Sequence, residues 1–355
     1  MKLGLIGLTG SGKTTLFNSL SRVKEGDCKK ASSGKKPNIK MVPVPDKRLE
    51  KLEEIFTPKK KTTAYTEFVD IAGLEKGGMG AGKRFLPNIR GVDALVHVLG
   101  CFSGLTDDTL KDIEEINIEL MVSDLGIIEK RQKNIEKLKR NVSNEIKKEA
   151  EVLSKARSGI EEGLPLRIIG LLPDESKAIR SLELLTLKPV IYCINISEED
   201  MGKDEKELSF IRDIRQYANK EGAEVLTVCA KIEEEISQLE TEDKYLFMRE
   251  LGIEESSLDK LVRSSYKTLG LISFLTAGPD EVRAWTVKKG TKAPDAASTI
   301  HSDIERGFIR AETISFEKFI EAGSFKDAKE KGLLKSEGKQ YIVNDGDIID
   351  FKFNV

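Results

Sequence analysis

The sequence predicts a mainly parallel α/β domain that is interrupted by a helical hairpin and followed by a small α+β module. Three observations predict this architecture. Short apolar runs alternate with helix-favouring stretches on either side of the middle of the chain, as in a parallel sheet covered by helices. The middle itself is charged, free of proline and apolar at heptad spacing. After about Leu271 the pattern changes to several strands around one helix.

The composition is that of an ordinary globular protein with balanced charge. The 355 residues include 58 Lys and Arg against 60 Asp and Glu, a net charge of −2. This balance excludes a dominant electrostatic partner for the whole chain, although the basic run Lys59-Lys60-Lys61 leaves open a local nucleic-acid contact beside the simpler interpretation of a solvated face. Only His97 and His301 are present, which argues against histidine metal clusters and His-based triads.

Cysteine spacing and hydropathy indicate the cellular compartment. The four cysteines have no paired spacing, and three lie in apolar, strand-like contexts, so buried reduced thiols are expected. No apolar run approaches the roughly 20 residues that span a bilayer. The N-terminus lacks the long apolar stretch of a signal peptide. We therefore expect a cytoplasmic protein with no membrane contact.

Five apolar runs predict the strands of the α/β domain. The first leads through a Gly-rich turn into an amphipathic helix, and residues 24–40 lack periodicity, as in a loop. The predicted strands are Lys2–Ile6, Thr66–Ile71, Ala94–Leu99, Val190–Ile194 and Val225–Cys229.

The charged central stretch predicts two antiparallel helices. Apolar residues recur there every seven positions, and a turn near Asn141–Asn144 would join the helices into a coiled-coil hairpin that projects from the sheet. Two ordinary surface helices are the alternative, which the sustained heptads disfavour. The heptad positions are Ile128, Ile135, Val142, Ile146, Leu153 and Ile160.

The C-terminal module contains predicted strands around a helix near Ala296–Glu305. The strands are Glu281–Val287, Phe308–Ile314, Gln340–Val343 and Ile348–Phe353. The expected division is therefore residues 1–104 and 187–271 for the α/β domain, 105–186 for the helical insertion and 272–355 for the module.

The turn after the first strand carries a phosphate-binding motif. Residues 7–14, Gly-Leu-Thr-Gly-Ser-Gly-Lys-Thr, satisfy G-x-x-x-x-G-K-[ST] between a strand and a helix. The glycines let backbone N–H groups point at phosphate oxygens, and the helix dipole favours the negative charge. We expect Lys13 to contact the β- and γ-phosphates of a nucleoside triphosphate and Thr14 to bind Mg²⁺. The predicted phosphate-binding residues are Gly7, Thr9, Gly10, Ser11, Gly12, Lys13, Thr14 and Thr15.

A second motif favours a switch-type hydrolase over a nucleotide kinase, which can share the same loop. Asp70-Ile-Ala-Gly73 ends the second predicted strand and matches D-x-x-G, in which the Asp holds Mg²⁺ through water and the Gly N–H approaches the γ-phosphate. We assign catalytic roles to Lys13, Asp70 and Gly73. Leu74 follows, where Ras-type switches place the glutamine that orients the attacking water. Because leucine cannot hydrogen-bond water, hydrolysis should be slow or depend on another group.

The stretch Asn195-Ile-Ser-Glu198 follows the fourth predicted strand, where guanine-binding switches carry Asn-Lys-x-Asp. Ile196 replaces the Lys that covers the base, and Glu198 extends the carboxylate toward the space of guanine's 2-amino group. Adenine has no 2-amino group and its N1 is an acceptor, so these changes should erode guanine selectivity. The predicted base-binding residues are Asn195, Ile196, Glu198, Cys229, Ala230 and Lys231.

Further segments, in order along the chain, resemble the YchF family of Obg-like ATPases. The segments are Phe68–Leu74, Phe85–Arg90, Leu185–Val190, Val282–Trp285, Gly307–Ala311 and Asp345–Val355. The resemblance implies a P-loop NTPase domain with a doubly wound α/β sheet, a coiled-coil insertion and a C-terminal TGS domain of β-grasp type. It also implies preference for ATP over GTP through an N-x-x-E base motif, and a hydrophobic residue in place of the catalytic glutamine.

The family's partners are ribosomes or ribosomal subunits. The resemblance therefore implies a monomeric, Mg²⁺-dependent ATPase switch linked to translation and stress, which contacts RNA of the ribosome or its large subunit through the coiled coil and the TGS domain. Two alternatives stay open from the sequence: an RNA- or ribosome-binding module with negligible turnover, and a GTP-binding switch.

The chain departs from the family pattern around the γ-phosphate. Thr9, Gly10 and Ser11 stand where the usual loop has Pro, Asn and Val, and the lost Asn argues against potassium activation. Gly34 falls at the position of the family's switch I threonine, with Ser32 or Ser33 as candidate donors of the hydroxyl. We interpret the chain as a divergent member with altered switching.

Overall fold

The computed structural model describes residues 1–20, 38–71, 73, 82–102, 109–138, 143–203 and 207–354. These residues form two compact units, one of Met1–Val42 with Glu67–Ser265 and one of Pro43–Thr66 with Tyr266–Val355. The sequence-based division counted residues 43–66 with the first domain. In the structure they contribute a helix and an edge strand to the second unit.

The sheet of the first unit has the strand order β2-β4-β1-β5-β6-β7. Numbered along the chain, its strands are β1 (Lys2–Ile6), β2 (Asn38–Pro43), β4 (Tyr65–Asp70), β5 (Ala94–Cys101), β6 (Val190–Ile196) and β7 (Glu224–Val228). From β4 to β7 all neighbouring strands are parallel. The order reverses beside β1, which places a ligand crevice at the carboxyl ends of the central strands. The predicted doubly wound sheet is confirmed.

Strand β2 was not predicted, because its apolar residues do not follow the pattern of a half-buried strand. It begins inside the stretch 24–40 that was expected to be a loop, and Ile39 and Met41 are exposed. Because the alternating apolar residues of this edge strand are the exposed ones, hydropathy does not identify its buried side. The other four apolar runs after β1 differ from the observed strands by two residues or fewer at each end.

Helices surround this sheet and form the insertion. They are α1 (Lys13–Ser19), α3 (Gly82–Arg90), α4 (Thr109–Glu136), α5 (Asn144–Glu161), α6 (Pro173–Ala178), α7 (Ser209–Glu221), α8 (Ala230–Gln238), α9 (Thr241–Glu250) and α10 (Ser257–Thr268). Short 3-10 helices cover Arg180–Leu182, Leu185–Leu187 and Glu198–Asp200. None of the helices in the described part of the chain combines the length and apolar content that crossing a bilayer requires.

Helices α4 and α5 pack against each other through the predicted heptad positions. Ile128 and Leu153 are fully buried between them, and Arg131 binds Glu149 across the pair with N–O distances of 2.7 and 2.8 Å. Ser143 caps α5 by accepting from the Ile146 N–H. Asn141 and Val142 of the predicted turn lie outside the described residues.

The insertion is joined to the sheet by a buried carboxylate on α4. Asp124 accepts hydrogen bonds from the backbone N–H groups of Leu185 and Thr186, both at 2.8 Å, and from the Thr186 hydroxyl at 2.7 Å. Burial raises the pKa of Asp124, while these three donors oppose that shift by stabilising its charged form. The contacts hold the 3-10 helix that leads directly into β6.

A buried ion pair forms a second junction. Arg167, which follows α5, donates to Glu221 at the end of α7 at 2.8 and 3.2 Å, and the two side chains are 8% and 0% exposed. The Tyr192 hydroxyl on β6 donates to the same carboxylate at 2.7 Å, and Arg167 also donates to Asn117 on α4 at 2.6 Å. Because removing one partner of such a pair typically costs about 3–5 kcal/mol, these contacts fix the insertion against the sheet.

The second unit is a six-stranded sheet with helices on it, in the order β11-β10-β12-β8-β9-β3. The strands are β3 (Lys60–Thr62), β8 (Leu271–Ala277), β9 (Glu281–Lys288), β10 (Phe308–Ser315), β11 (Lys335–Glu337) and β12 (Asp347–Phe353). The helices are α2 (Lys47–Phe56), α11 (Ala293–Ser298), α12 (Ser302–Arg306), α13 (Phe316–Ala322) and α14 (Phe325–Glu330). The predicted α+β character of this module is thus observed.

Two local predictions in this unit were wrong. The predicted strand Gln340–Val343 makes only one isolated bridge, between Ile342 and Lys292, because the surrounding backbone forms turns. The predicted single helix is divided into α11 and α12, and His301 caps the second by accepting from the Asp303 N–H.

The basic run at 59–61 is neutralised within this unit. Strand β3 lies parallel to β9, so Lys59 pairs with Asp280 at 2.7 Å and Lys60 with Glu281 at 3.4 Å. Lys61 pairs with Glu53 on α2 at 2.5 Å. These pairs favour the solvated-face interpretation over a nucleic-acid contact.

A buried histidine makes stability dependent on pH. His97 on β5 is 2% exposed, lies with its ring centroid 5.6 Å from that of Tyr192 and faces the positive charge of Arg167. Burial and then Arg167 lower its pKa to about 3. The unfolded chain, with an ordinary histidine pKa of about 6.5, therefore binds a proton that the folded chain does not, and stability falls as pH drops from about 6.5 toward 3.

The wild type should lose unfolding free energy as the pH falls from 7 to 5. We predict that this loss is roughly 2 kcal/mol smaller in His97→Gln. Urea unfolding of both proteins at the two pH values measures this difference. An equal loss of stability in wild type and variant would contradict the assignment.

Candidate functional site

The phosphate-binding motif forms the connection between β1 and α1, at the carboxyl ends of the central strands. The Ser11 N–H donates to the Leu8 carbonyl at 3.2 Å, which closes the turn. Gly10 and Gly12 have φ angles of +87° and +83°. Only glycine adopts this left-handed conformation without strain, so the loop shape depends on both glycines.

Gly12 also allows a close approach by Asn195. A Cβ atom at Gly12 would lie 2.1 Å from the Asn195 Nδ2 atom. Asn195, at 4% exposure near the end of β6, donates through Nδ2 to the Ser11 carbonyl at 3.1 Å and accepts through Oδ1 from the Ala230 N–H at 2.9 Å. One amide group therefore holds the phosphate loop, the end of β6 and the start of α8 together.

Two further glycines lie against the loop. A Cβ at Gly73 would lie 3.4 Å from both the Gly7 oxygen and the Thr9 nitrogen, so the D-x-x-G segment touches the phosphate loop. A Cβ at Gly100, at the end of β5, would lie 3.0 Å from the Ser11 Cα. Gly100 was missed from the sequence; its signal is a glycine at the end of an otherwise apolar strand.

The two charged residues assigned catalytic roles lie in contact. Lys13 Nζ donates to Asp70 Oδ1 at 3.2 Å, and the side chains are 8% and 15% exposed. Thr14 is exposed at the start of α1, and Thr15 is partly buried. The P-loop lysine, the first helical threonine and the Walker-type aspartate are thus brought to one place.

The oxygen atoms at this place fit magnesium. Thr14 supplies a hydroxyl and Asp70 a carboxylate, and Mg²⁺ characteristically takes one or two protein oxygens together with water and phosphate. Across the described residues, no three His, Cys, Asp or Glu side chains gather into a group that could hold a metal. Thr14 and Asp70 would hold such an ion together with water and phosphate oxygens.

The motif Asn195–Glu198 is partly buried in the hydrophobic core and partly at the surface. The Ile196 side chain packs in the hydrophobic core and is 7% exposed, so it points away from solvent. Glu198 begins a 3-10 helix, and Lys231 Nζ donates to its Oε2 at 2.9 Å. Asn195, Glu198, Ala230 and Lys231 are therefore brought together around the junction of β6 and α8.

Cys229 lies at the N-cap of α8 and is 5% exposed. Burial raises the pKa of its thiol, which keeps the sulfur protonated. A cavity of about 340 Å³ opens beside it, lined in part by Met201, Ile232 and Glu233. No sequence motif indicated this cavity, which includes none of the phosphate-loop residues.

Some predicted residues lie outside the described part of the chain. They are Leu74, at the position of the catalytic glutamine, and the switch I candidates Ser32, Ser33 and Gly34. Their assigned roles remain predictions.

Two family models match this chain, one in its N-terminal part and one in its C-terminal part. The family model described as a 50S ribosome-binding GTPase matches residues 2–139. The model YchF-GTPase_C, described as a protein of unknown function, matches residues 271–354.

Curated relatives match over nearly their whole length. The protein named ribosome-binding ATPase YchF of Bacillus subtilis is 45% identical over 362 aligned residues, covering 99% of both chains. The protein of that name from Escherichia coli O157:H7 is 42% identical and covers 100% of this chain and 99% of its own. The solved structure of the Schizosaccharomyces pombe YchF GTPase has a TM-score of 0.87 at 30% identity, covering 99% of this chain and 97% of its own. The chain belongs to the YchF family.

Proposed function

We propose that this protein is a slow, Mg²⁺-dependent nucleoside triphosphatase that prefers ATP to GTP and associates with ribosomes. The observation that carries the proposal is the Asn195 amide, which joins the phosphate loop to the base segment in one rigid site. The names of the relatives, ribosome-binding ATPases, support the choice of nucleotide and partner.

At the phosphate end, Lys13 would exchange its partner Asp70 for the phosphates of the nucleotide. In the structure Lys13 and Asp70 neutralise each other. A triphosphate in the loop would attract the Lys13 ammonium to its oxygens, and the backbone N–H groups of residues 7–12 would surround the remaining charge. Asp70 would then be free to hold Mg²⁺ together with Thr14. The ion, when bound, would neutralise charge that develops on the transferred phosphoryl group.

The slow rate follows from the side chain at position 74, which would lie where other switches orient the attacking water. Position 74 is leucine, which can neither donate to nor accept from a water molecule. Gly73 lies against the loop and could donate its N–H to a γ-phosphate oxygen, which senses the phosphate but does not orient water. We therefore propose that turnover rises when a partner supplies the missing group.

The base end supports adenine over guanine. The Lys stem that would cover a guanine is absent at position 196, where Ile196 belongs to the core. The carboxylate that would accept guanine's donors is Glu198, which Lys231 already engages. Both features lower the advantage of guanine without removing any contact that adenine needs.

For the partner we propose the ribosome or its large subunit. The helical insertion, residues 105–186, and the TGS domain, residues 272–355, are the proposed RNA-contacting parts of a cytoplasmic monomer. Lys59, Lys60 and Lys61 are not assigned to that role, because each pairs with a carboxylate.

We predict that Lys13→Ala lowers ATP affinity and turnover by about 10- to 100-fold, because a charged hydrogen bond contributes about 1.5–3 kcal/mol. Titration of ATP and steady-state phosphate release measure the two effects. Lys2→Ala is the matched control, since Lys2 forms a partly exposed pair with Glu67 at 3.6 Å in the same sheet. If ribosome affinity does not depend on the bound nucleotide and turnover is unchanged in Lys13→Ala, the binding-module alternative would be favoured.

We also predict that Asn195→Ala lowers the free energy of unfolding by about 2 kcal/mol and weakens ATP and ADP alike, because the buried Ser11 carbonyl and Ala230 N–H lose their partner. Thermal unfolding and nucleotide titration measure the effects, with the exposed Asn219→Ala as the control. A variant with wild-type affinity for both nucleotides would show that the amide does not organise the site.

A further inference from the structure

We propose that Lys231 is a specificity-determining residue, which selects adenine by occupying the Glu198 carboxylate and presenting ammonium N–H groups beside it. The inference rests on the proposed ATP-preferring site and names the side chain that enforces the preference. The extra methylene of Glu198 moves the carboxylate, whereas Lys231 occupies one of its oxygens and neutralises its charge.

The positions of both side chains are set by buried backbone. Glu198 follows β6 directly, and Lys231 is the second residue of α8. Asn195 binds the Ala230 N–H, immediately before Lys231, at 2.9 Å. The Lys231–Glu198 contact of 2.9 Å therefore spans two elements that a single buried amide already holds in register.

Hydrogen-bonding chemistry gives the pair its selectivity. A free carboxylate offers only acceptors, which complement the N1–H and 2-amino donors of guanine. An ammonium group offers only donors. With Lys231 on Oε2 of Glu198, one of the two oxygens that could accept from guanine is occupied and the charge of the carboxylate is neutralised. Adenine presents an acceptor at N1 and no 2-amino group, so the pair matches adenine and leaves guanine's donors unpaired.

The charge on Lys231 persists at working pH. The hydrogen bond from its ammonium group to Glu198 raises the pKa of Lys231, and the more distant carboxylate of Glu235 acts in the same direction. The pair is exposed, at 66% for Lys231 and 42% for Glu198, and such pairs contribute little to folding. Substitution at Lys231 therefore changes the base site while the fold stays intact.

The test is the affinity of Lys231→Met and wild type for ATP, GTP and ITP in the presence of Mg²⁺, by competition against a fluorescent ADP. The ratio of ATP to GTP affinity should fall about tenfold in Lys231→Met, since guanine regains a charged acceptor. ITP keeps N1–H but lacks the 2-amino group, so the gain in its affinity in Lys231→Met reports the N1–H contact alone. Lys231→Arg, which keeps the positive charge and the N–H donors, should keep the wild-type ratio of ATP to GTP affinity.

Lys203→Met is the matched control. Lys203 also binds a carboxylate after β6, Asp200 at 2.7 Å, but lies outside the base loop, so its loss should leave the ratio unchanged. An unchanged ratio in Lys231→Met, when wild type prefers ATP, would overturn the role of Lys231. A wild type without preference for ATP would contradict the proposed function itself. Thermal unfolding of each variant checks that a change in ratio does not come from loss of fold.

Discussion

The site depends on one side-chain amide. Asn195 reaches from β6 to the phosphate loop on one side and to the start of α8 on the other, and its burial makes both hydrogen bonds costly to break. Gly12 is required by the same contact, because any Cβ there would collide with the amide. The phosphate loop and the proposed base segment are therefore joined by direct hydrogen bonds.

The same strand connects the site to the helical insertion. The segment that enters β6 is held by Asp124 of α4, and Tyr192 within β6 donates to the Glu221 carboxylate that pairs with Arg167. Buried polar groups of this kind are specific in geometry, because an unpaired member would cost several kcal/mol. The insertion is thus anchored to β6, the strand that ends at Ile196.

The sequence predicted the sheet, the hairpin and the phosphate loop because each has a strong local signal. Buried parallel strands are continuously apolar, heptads repeat, and the loop has fixed glycine spacing. Family membership was predicted in the same way, from ordered segments, and is confirmed. What the sequence could not give depends on contacts between distant residues. Strand β3 is visible only through its pairing with β9, and the Lys231–Glu198 pair joins side chains whose distance in sequence carries no pattern.

The central claim is that this chain hydrolyses ATP in preference to GTP and does so in connection with ribosomes. The most direct measurement is steady-state phosphate release by the wild-type protein from ATP and from GTP, each with and without ribosomes, in sodium and then in potassium salts. We predict slow release that is faster from ATP than from GTP, increases when ribosomes are added and does not depend on potassium. Equal release from the two nucleotides, unchanged by ribosomes, would contradict the claim.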